Sequence, residues 1–342
     1  MNACLPVGMA RSHRGNPAAA LRLEAIYGAP VLFSGVSSLL LTLAEMSALH
    51  IHHKEFIQSL VKLYQKTPDC VVYLLAGCLP AQAQLHLAQF SLLAMLAQDQ
   101  ENILTRHAIT VLTSSTTVKS WFTNLQATCT MYSLPSALLL ITSNLSKEQI
   151  KTTVRKKVLR YWELKLCDNA HGLESLKYFK PSFYSLTKPH PIFTSAGSSP
   201  YEVEKSKVQA RMLSGQYRTK RLRRHWSQNQ EGYCLLPTCW NTIEDLEHIL
   251  THCPAHREAR TRVLAMWADY LATRPHLATV VTHYTSTPSS HLIQFLLDSS
   301  VLPLVIILGQ EHSEAAIHSL FYLTQTYCYS IHRSQLKHLG LI

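Results

Sequence analysis

Four residues constrain this chain more than any others: Cys234, Cys239, His248 and Cys253, spaced as Cys-x4-Cys-x8-His-x4-Cys. Three thiolates and one imidazole complete a tetrahedral shell for Zn²⁺ and leave no open position, so such a metal would be structural rather than catalytic. The first two cysteines flank a short turn containing Pro237. The last two ligands bracket an amphipathic segment, which predicts a helix over Ile243–Leu250. Thr242 is placed to cap it, with Glu244 and Asp245 in the first turn, where the helix dipole favours acids. His252 and His256 are spare donors, and His252 lies one helical turn beyond His248.

Just before this array runs a basic-aromatic arm, Gln216-Tyr-Arg-Thr-Lys-Arg-Leu-Arg-Arg-His-Trp226. Arg218, Lys220, Arg221, Arg223 and Arg224 are suited to neutralising phosphates. Tyr217 and Trp226 are suited to stacking on unpaired bases. A solvated helix face or a nuclear-import signal over Lys220–Arg224 would use the same residues. The net charge of +11 points the same way, toward polyanions. Lys156, Lys157 and Arg160 form a second, weaker patch. No duplex-reading motif is present, so the expected partner is RNA or single-stranded DNA.

The rest of the sequence predicts a mostly helical protein. Gly is scarce, and apolar residues recur at helical spacing along Leu43, Met46, Leu49, Phe56, Leu60 and Tyr64. Pro80 can open a helix carrying Leu85, Leu92, Leu93 and Leu96, and Val118–Tyr132 reads as another. Ser146-Lys-Glu-Gln149 is a capping box for a long helix through Val154, Val158, Tyr161 and Leu164. Residues 171–199 are rich in Ser and Pro and read as a connector. Ser199-Pro-Tyr-Glu202 starts a helix expected to run into the basic arm. Ala259–Ala272 and Glu314–His338 are helical by period. The organisation is therefore 1–17 irregular, 18–170 helical, 171–199 connector, 200–273 arm and metal array, and 274–342 C-terminal helices.

The remaining cysteines are scattered in apolar helical contexts, as in a reducing compartment, the nucleus or the cytoplasm. Residues 1–16 have no continuous apolar run of the kind a secretory signal needs, and neither Val31–Ala44 nor Leu292–Leu308 reads as a membrane span. No membrane partner is expected. Nor does the chain hold a Gly-x-x-x-x-Gly-Lys loop, a His-Glu-x-x-His pair or a Gly-x-Ser-x-Gly elbow. The pairs Glu247-His248 and Glu311-His312 lack the partners a hydrolase needs. His50, His52 and His53 read as surface or helix-face residues.

In order along the chain, several stretches resemble the C-terminal part of LINE-type (non-LTR) retrotransposon reverse transcriptases. They are Ser12-His-Arg-Gly-Asn-Pro17, "IYGAPVLFSG" at 26–35, "KTPDCVVYLLAGCLPAQAQLHL" at 66–87, "SWF" at 120–122 and "YWELKL" at 161–166. "SPYEVEKSKVQARMLSGQYR" at 199–218, the Cys/His array with "EHIL", and "LIQFLLDSS" and "YSIHRSQLKHL" near the end continue the likeness. The resemblance implies a helical thumb-like bundle, a connector, a small CCHC zinc knuckle with His248 as ligand, and C-terminal helices. In the family, thumb and knuckle hold the template-primer and the element's RNA. Two departures qualify it. "VLFSGVS" stands at 31–37 where the family has a different word, and the chain has no Asp-Asp pair anywhere. The family's polymerase needs palm carboxylates to hold two Mg²⁺ ions. The expectation is a zinc-stabilised, non-catalytic nucleic-acid binder derived from such an enzyme. The alternatives are a helical interaction scaffold with a purely structural zinc, or a retroelement fragment with no selected function.

Overall fold

The computed structural model describes residues 15–99, 101–114, 120–143, 145–219, 232–234, 236–286, 289–303 and 310–341. Helices dominate them, as the sequence predicts. α1 (Pro17–Leu23) opens on Asn16, whose side-chain oxygen accepts from the Ala18 and Ala19 amides. α2 (Ala29–Ser34) follows a π turn, and α3 (Leu43–Val61) opens on a capping box of Thr42 and Glu45. Next come α4 (Asp69–Ala76), α5 (Ala81–Gln98), α6 (Ile103–Ser114), α7 (Trp121–Met131), α8 (Ala137–Thr142) and α9 (Lys147–His171). α10 (Pro200–Leu213), α11 (Arg257–Ala272), α12 (Pro275–Thr285), α13 (Ser289–Leu297) and α14 (Gln310–His338) complete the set.

α9 shows how sequence becomes packing. Ser146 accepts from the Gln149 amide and Gln149 returns to the Ser146 amide, so two orphan donors are satisfied at its start. Ile150, Val154, Val158, Trp162, Leu166 and Ala170 are then buried at every fourth residue, against α4 and α5. Tyr161 and Leu164, expected on that stripe, lie off it: Tyr161 is half-buried and Leu164 exposed. Lys156, Lys157 and Arg160 lie exposed on the opposite side. On α3 the stripe begins later than its pattern suggests, because Leu43 at the first turn is exposed.

α4 is buried on all sides, from Cys70 to Ala76. It and α5 together are long and apolar enough to span a bilayer, but they are bent by 58° at their junction. No single helix among the described residues is long and apolar enough to do so. What covers the C-terminal end of α4 is the Ser/Pro-rich segment. The His190 amide donates to the Leu75 carbonyl at 2.9 Å. Gly77, at φ +64°, lies so close to the Lys188 backbone that a Cβ there would meet its carbonyl oxygen at 2.0 Å. Leu176, Phe179, Tyr184, Leu186, Ile192, Phe193 and Ala196 are buried. Residues 171–199 are thus a packed part of the core rather than an exposed spacer. One continuous apolar cluster runs from Ala18 to Ile331 through this segment.

α10 begins on Ser199 as expected, with the Glu202 amide bonded to the Ser199 hydroxyl. It does not run into the arm. It stops at Leu213, and Gly215 turns the chain at φ +66°. α10, α11 and α13 pack around the long α14.

Candidate metal centre

The array folds around three local devices. Residues 232–234 pair with 242–244: the Cys234 amide donates to the Thr242 carbonyl and the Glu244 amide to the Gly232 carbonyl, each at 2.9 Å. This is the only β-type bridge among the described residues, Tyr233 with Ile243. A turn over Pro237–Cys239 follows, and Asn241 takes a left-handed conformation, φ 59°, that Asn tolerates better than most residues. The third device is a π turn over His248–His252, closed by the Cys253 amide on the His248 carbonyl at 2.7 Å. An i→i+5 turn stacks residues five apart on one face, so His248 and Cys253 come together where a regular α-helix would rotate them apart.

The cap differs from expectation. Thr242 and Ile243 are held extended by the pairing with Cys234 and Gly232. Asp245 takes over instead, its carboxylate accepting from the His248 amide at 2.9 Å. The helical turn starts at Leu246 rather than Ile243.

The result is a preformed donor set. The ligand atoms of Cys234, Cys239, His248 and Cys253 all lie within 4.8 Å of one another. Cys253 Sγ is 3.9 Å from Cys234 Sγ and 4.0 Å from Cys239 Sγ. A tetrahedral zinc with Zn–S bonds of about 2.3 Å has S···S edges of roughly 3.8 Å. His248 Nε2 is buried with no hydrogen-bond partner, an orphan that a metal would satisfy. His252 is exposed and outside the cluster, while His256 is bonded to Ser334 Oγ at 3.0 Å.

Electrostatics fit a cation. Burial, with Cys234 and Cys239 as neighbouring acids, pushes the Cys253 thiol up to about 12. Burial raises the Cys234 thiol as well. Burial lowers His248, only partly countered by Asp245, which favours the neutral imidazole that a metal needs. Three neighbouring thiolates, two of them buried, do not ionise side by side without a positive charge among them. A dication would supply it, and Arg260 is near enough to act on His248.

The site is welded to the core. Ile249 and Leu250, on the far side of the π turn, are fully buried, and Tyr327 of α14 donates its hydroxyl proton to the Leu250 carbonyl at 2.7 Å. At the opposite end Trp240 stands out, 88 % exposed, at the tip of the turn between Cys239 and Asn241. The sequence reading passed over it. Its signal was position: an indole between a ligand and a left-handed residue has nowhere to fold back.

Of the arm, Lys220, Arg221, Arg223, Arg224 and Trp226 lie outside the described residues. Arg218 is exposed. Tyr217 is not available for stacking on bases: it is 5 % exposed, and its hydroxyl sits between His332 Nδ1, at 2.9 Å, and Gln335 Oε1. Of the three neighbouring histidines, His53 is a core residue, hydrogen-bonded toward Tyr73 and Gln84.

One further constellation looks catalytic in composition. Ser300, His190 and Asp298 come together, with Ser300 Oγ 3.3 Å and Asp298 Oδ2 3.4 Å from His190 Nε2. A Ser-His-Asp relay needs the acid and the nucleophile on opposite ring nitrogens. Here both approach Nε2, while Nδ1 accepts from the Ile192 amide at 3.1 Å. Tyr184 and Ser300 donate further hydrogen bonds to the same carboxylate. The group is a buried structural knot.

No protein-family profile, curated protein or solved structure matches the chain.

Proposed function

We propose that this chain is a zinc-stabilised nucleic-acid-binding protein, derived from a LINE-type reverse transcriptase and without polymerase chemistry of its own. The observation that carries the reading is the preformed Cys3His cluster with its orphaned imidazole nitrogen, beside a strongly basic segment. Three thiolates and an imidazole favour zinc among the common divalent metals, and a closed shell makes the metal a folding element. Cys234, Cys239, His248 and Cys253 would hold it. The retrotransposon origin rests on the sequence resemblance.

The phosphate-facing side of the reading rests on Arg218, Lys220, Arg221, Arg223 and Arg224, with Trp226 and the exposed Trp240 as stacking rings. Replacing Arg221, Arg223 and Arg224 with Ala is expected to weaken binding to single-stranded RNA similarly across unrelated sequences, because phosphates carry no base identity. The plot of log affinity against log salt should flatten by roughly 0.7 per lost contact. Trp226→Ala should cost about 1–3 kcal/mol with little change in that slope. Anisotropy titrations over a salt series measure both. A triple variant that binds like wild type at every salt concentration would remove the nucleic-acid reading. Primer extension with Mg²⁺ or Mn²⁺ is expected to yield no product, since the sequence offers no Asp-Asp pair for a two-metal site. Robust incorporation by the purified chain would overturn that part.

The second reading, a helical scaffold with a purely structural metal, draws on two observations. Tyr217 belongs to the core, and a cavity lined by Glu174, Lys177, Asp245 and Glu247 opens beside Thr219, the last described residue of the arm's first part. Acids at that position offer the arm's cations an intramolecular partner. The triple variant separates the two readings.

A further inference from the structure

Aromatic rings and cations alternate in a chain of contacts where α10, α11 and α14 pack together. At its centre is Lys205 of α10, a lysine only 5 % exposed. Its Nζ donates to Thr326 Oγ1 at 3.2 Å and lies 4.4 Å from the centroid of the Tyr201 ring and 5.3 Å from that of Tyr322. From there the contacts run two ways. Tyr201 meets Tyr329 edge-on at 5.2 Å, and Arg333, one helical turn further along α14, is near enough to act on the Tyr201 hydroxyl. Tyr322 lies 5.6 Å from Tyr270 of α11, and Arg274 lays its guanidinium 3.9 Å from the centroid of that ring.

Part of this is packing. Two ring faces and a hydroxyl hold the Lys205 ammonium between α10 and α14. Burial lowers this amine, and Glu202, which counters it, itself accepts from the Ser199 hydroxyl at 3.0 Å. Packing does not account for the exposure of the rings or for the charge around them. Tyr201 is 55 % exposed and Tyr322 41 %. Arg333 is exposed as well. No ion pair joins Lys205, Arg274 or Arg333 to an acid among the described residues, while Glu204 and Glu258 on the same helices are taken by Lys207 and Arg262. Single-stranded nucleic acid alternates bases, which stack on rings, with phosphates, which seek cations. A proline-rich peptide would use the rings and leave the cations idle.

We propose that Tyr201 and Tyr322, with Tyr270 beside them, form a stacking surface for the unpaired bases of a single-stranded nucleic acid, and that Arg274 and Arg333 take flanking phosphates. Lys205, shared by the two exposed rings, is a positioning residue that holds them in place. The inference rests on the nucleic-acid reading above and adds to it a surface on α10, α11 and α14 that is independent of the basic arm. Every base has a face to stack, so the surface adds affinity without sequence preference.

The test uses the full chain and a labelled single-stranded RNA, with Tyr201→Leu, Tyr322→Leu and Arg333→Gln as variants. Leucine keeps apolar bulk over Lys205 and removes the ring. Arg333 is exposed, so Arg333→Gln carries the test even if a leucine variant melts early. Tyr201→Leu and Tyr322→Leu should each weaken binding about tenfold with little change in the salt slope. Arg333→Gln should weaken it about threefold near 0.1 M salt and flatten the slope by roughly 0.7. Tyr322→Phe restores the ring and should recover the affinity that Tyr322→Leu loses. If wild type binds and the triple arm variant loses affinity, while the leucine and glutamine variants match wild type at every salt concentration, the surface is overturned and the arm reading stands. If wild type binds no oligonucleotide, both are overturned. If a proline-rich peptide binds and is lost in both leucine variants while their RNA binding is unchanged, the surface belongs to a peptide and the proposal falls.

Discussion

Cys239→Ser is expected to empty the metal centre and unfold the segment from Gly232 to His256. Cys239 is buried, and its Sγ forms one edge of the donor set, 4.0 Å from Cys253 Sγ. A serine hydroxyl is a poor substitute for a thiolate toward zinc. Structural zinc contributes apparent free energies of about 10–16 kcal/mol in small sites at neutral pH, and that energy is folding energy. The effect should reach beyond the turn, because Ile249 and Leu250 belong to the main core and Tyr327 of α14 bonds to the Leu250 carbonyl. Elemental mass spectrometry should find one zinc per wild-type chain and almost none in the variant. A strong chelator should lower the wild-type melting temperature, and acid should release the metal because protons compete for thiolates and imidazole. His248→Ala should behave like Cys239→Ser, whereas His252→Ala should keep its zinc. Unchanged zinc content in Cys239→Ser would remove the metal centre from the account.

Asp298→Ala should cost about 3–5 kcal/mol, among the largest effects expected of one residue here. Asp298 is wholly buried and accepts from Tyr184, from the amide and hydroxyl of Ser300, and faces His190 Nε2. Alanine would strand several of these donors at once. Burial alone would raise this carboxyl, but His190, Ser300 and Tyr184 together outweigh it and hold it below its ordinary range. The sign for stability follows. An unfolded Asp titrates near about 3.9. With the folded value lower, the carboxylate's contribution is present above that pH and is lost as pH falls through the folded value. Urea midpoints of wild type should therefore fall more steeply in acid than those of Asp298→Asn. Parallel pH profiles for the two would show that the carboxylate is not held ionised.

Local chemistry was legible in the sequence, and long-range pairing was not. The Ser146–Gln149 box and the Ser199 cap carry their partners within one turn, and the structure has both. The metal ligands were legible because coordination demands particular atoms, whatever lies around them. Thr242 failed as a cap because pairing across the loop with Cys234 holds it extended. Tyr217 looked like a stacking ring because its partners, His332 and Gln335, lie 115 and 118 positions away. The surface around Lys205 was hidden for the same reason: Lys205 and Thr326 are 121 positions apart. Residues 171–199 read as a spacer because Ser and Pro usually mark exposed chain. Here the His190 amide covers the Leu75 carbonyl near the end of α4.

That covering has a consequence for the order in which the molecule can be built. The end of α4 waits for the His190 amide, and the same histidine waits for Ser300, 110 positions further on. Neither contact forms until a long loop has closed, and loop closure is an entropic cost met before the contact repays it. The C-terminal end of α4 therefore cannot reach its final packing while the chain is still short. It waits for residue 190, and the knot at Asp298 sets only when Ser300 arrives. A chain cut after α9 would expose the end of α4 and the apolar surface around it.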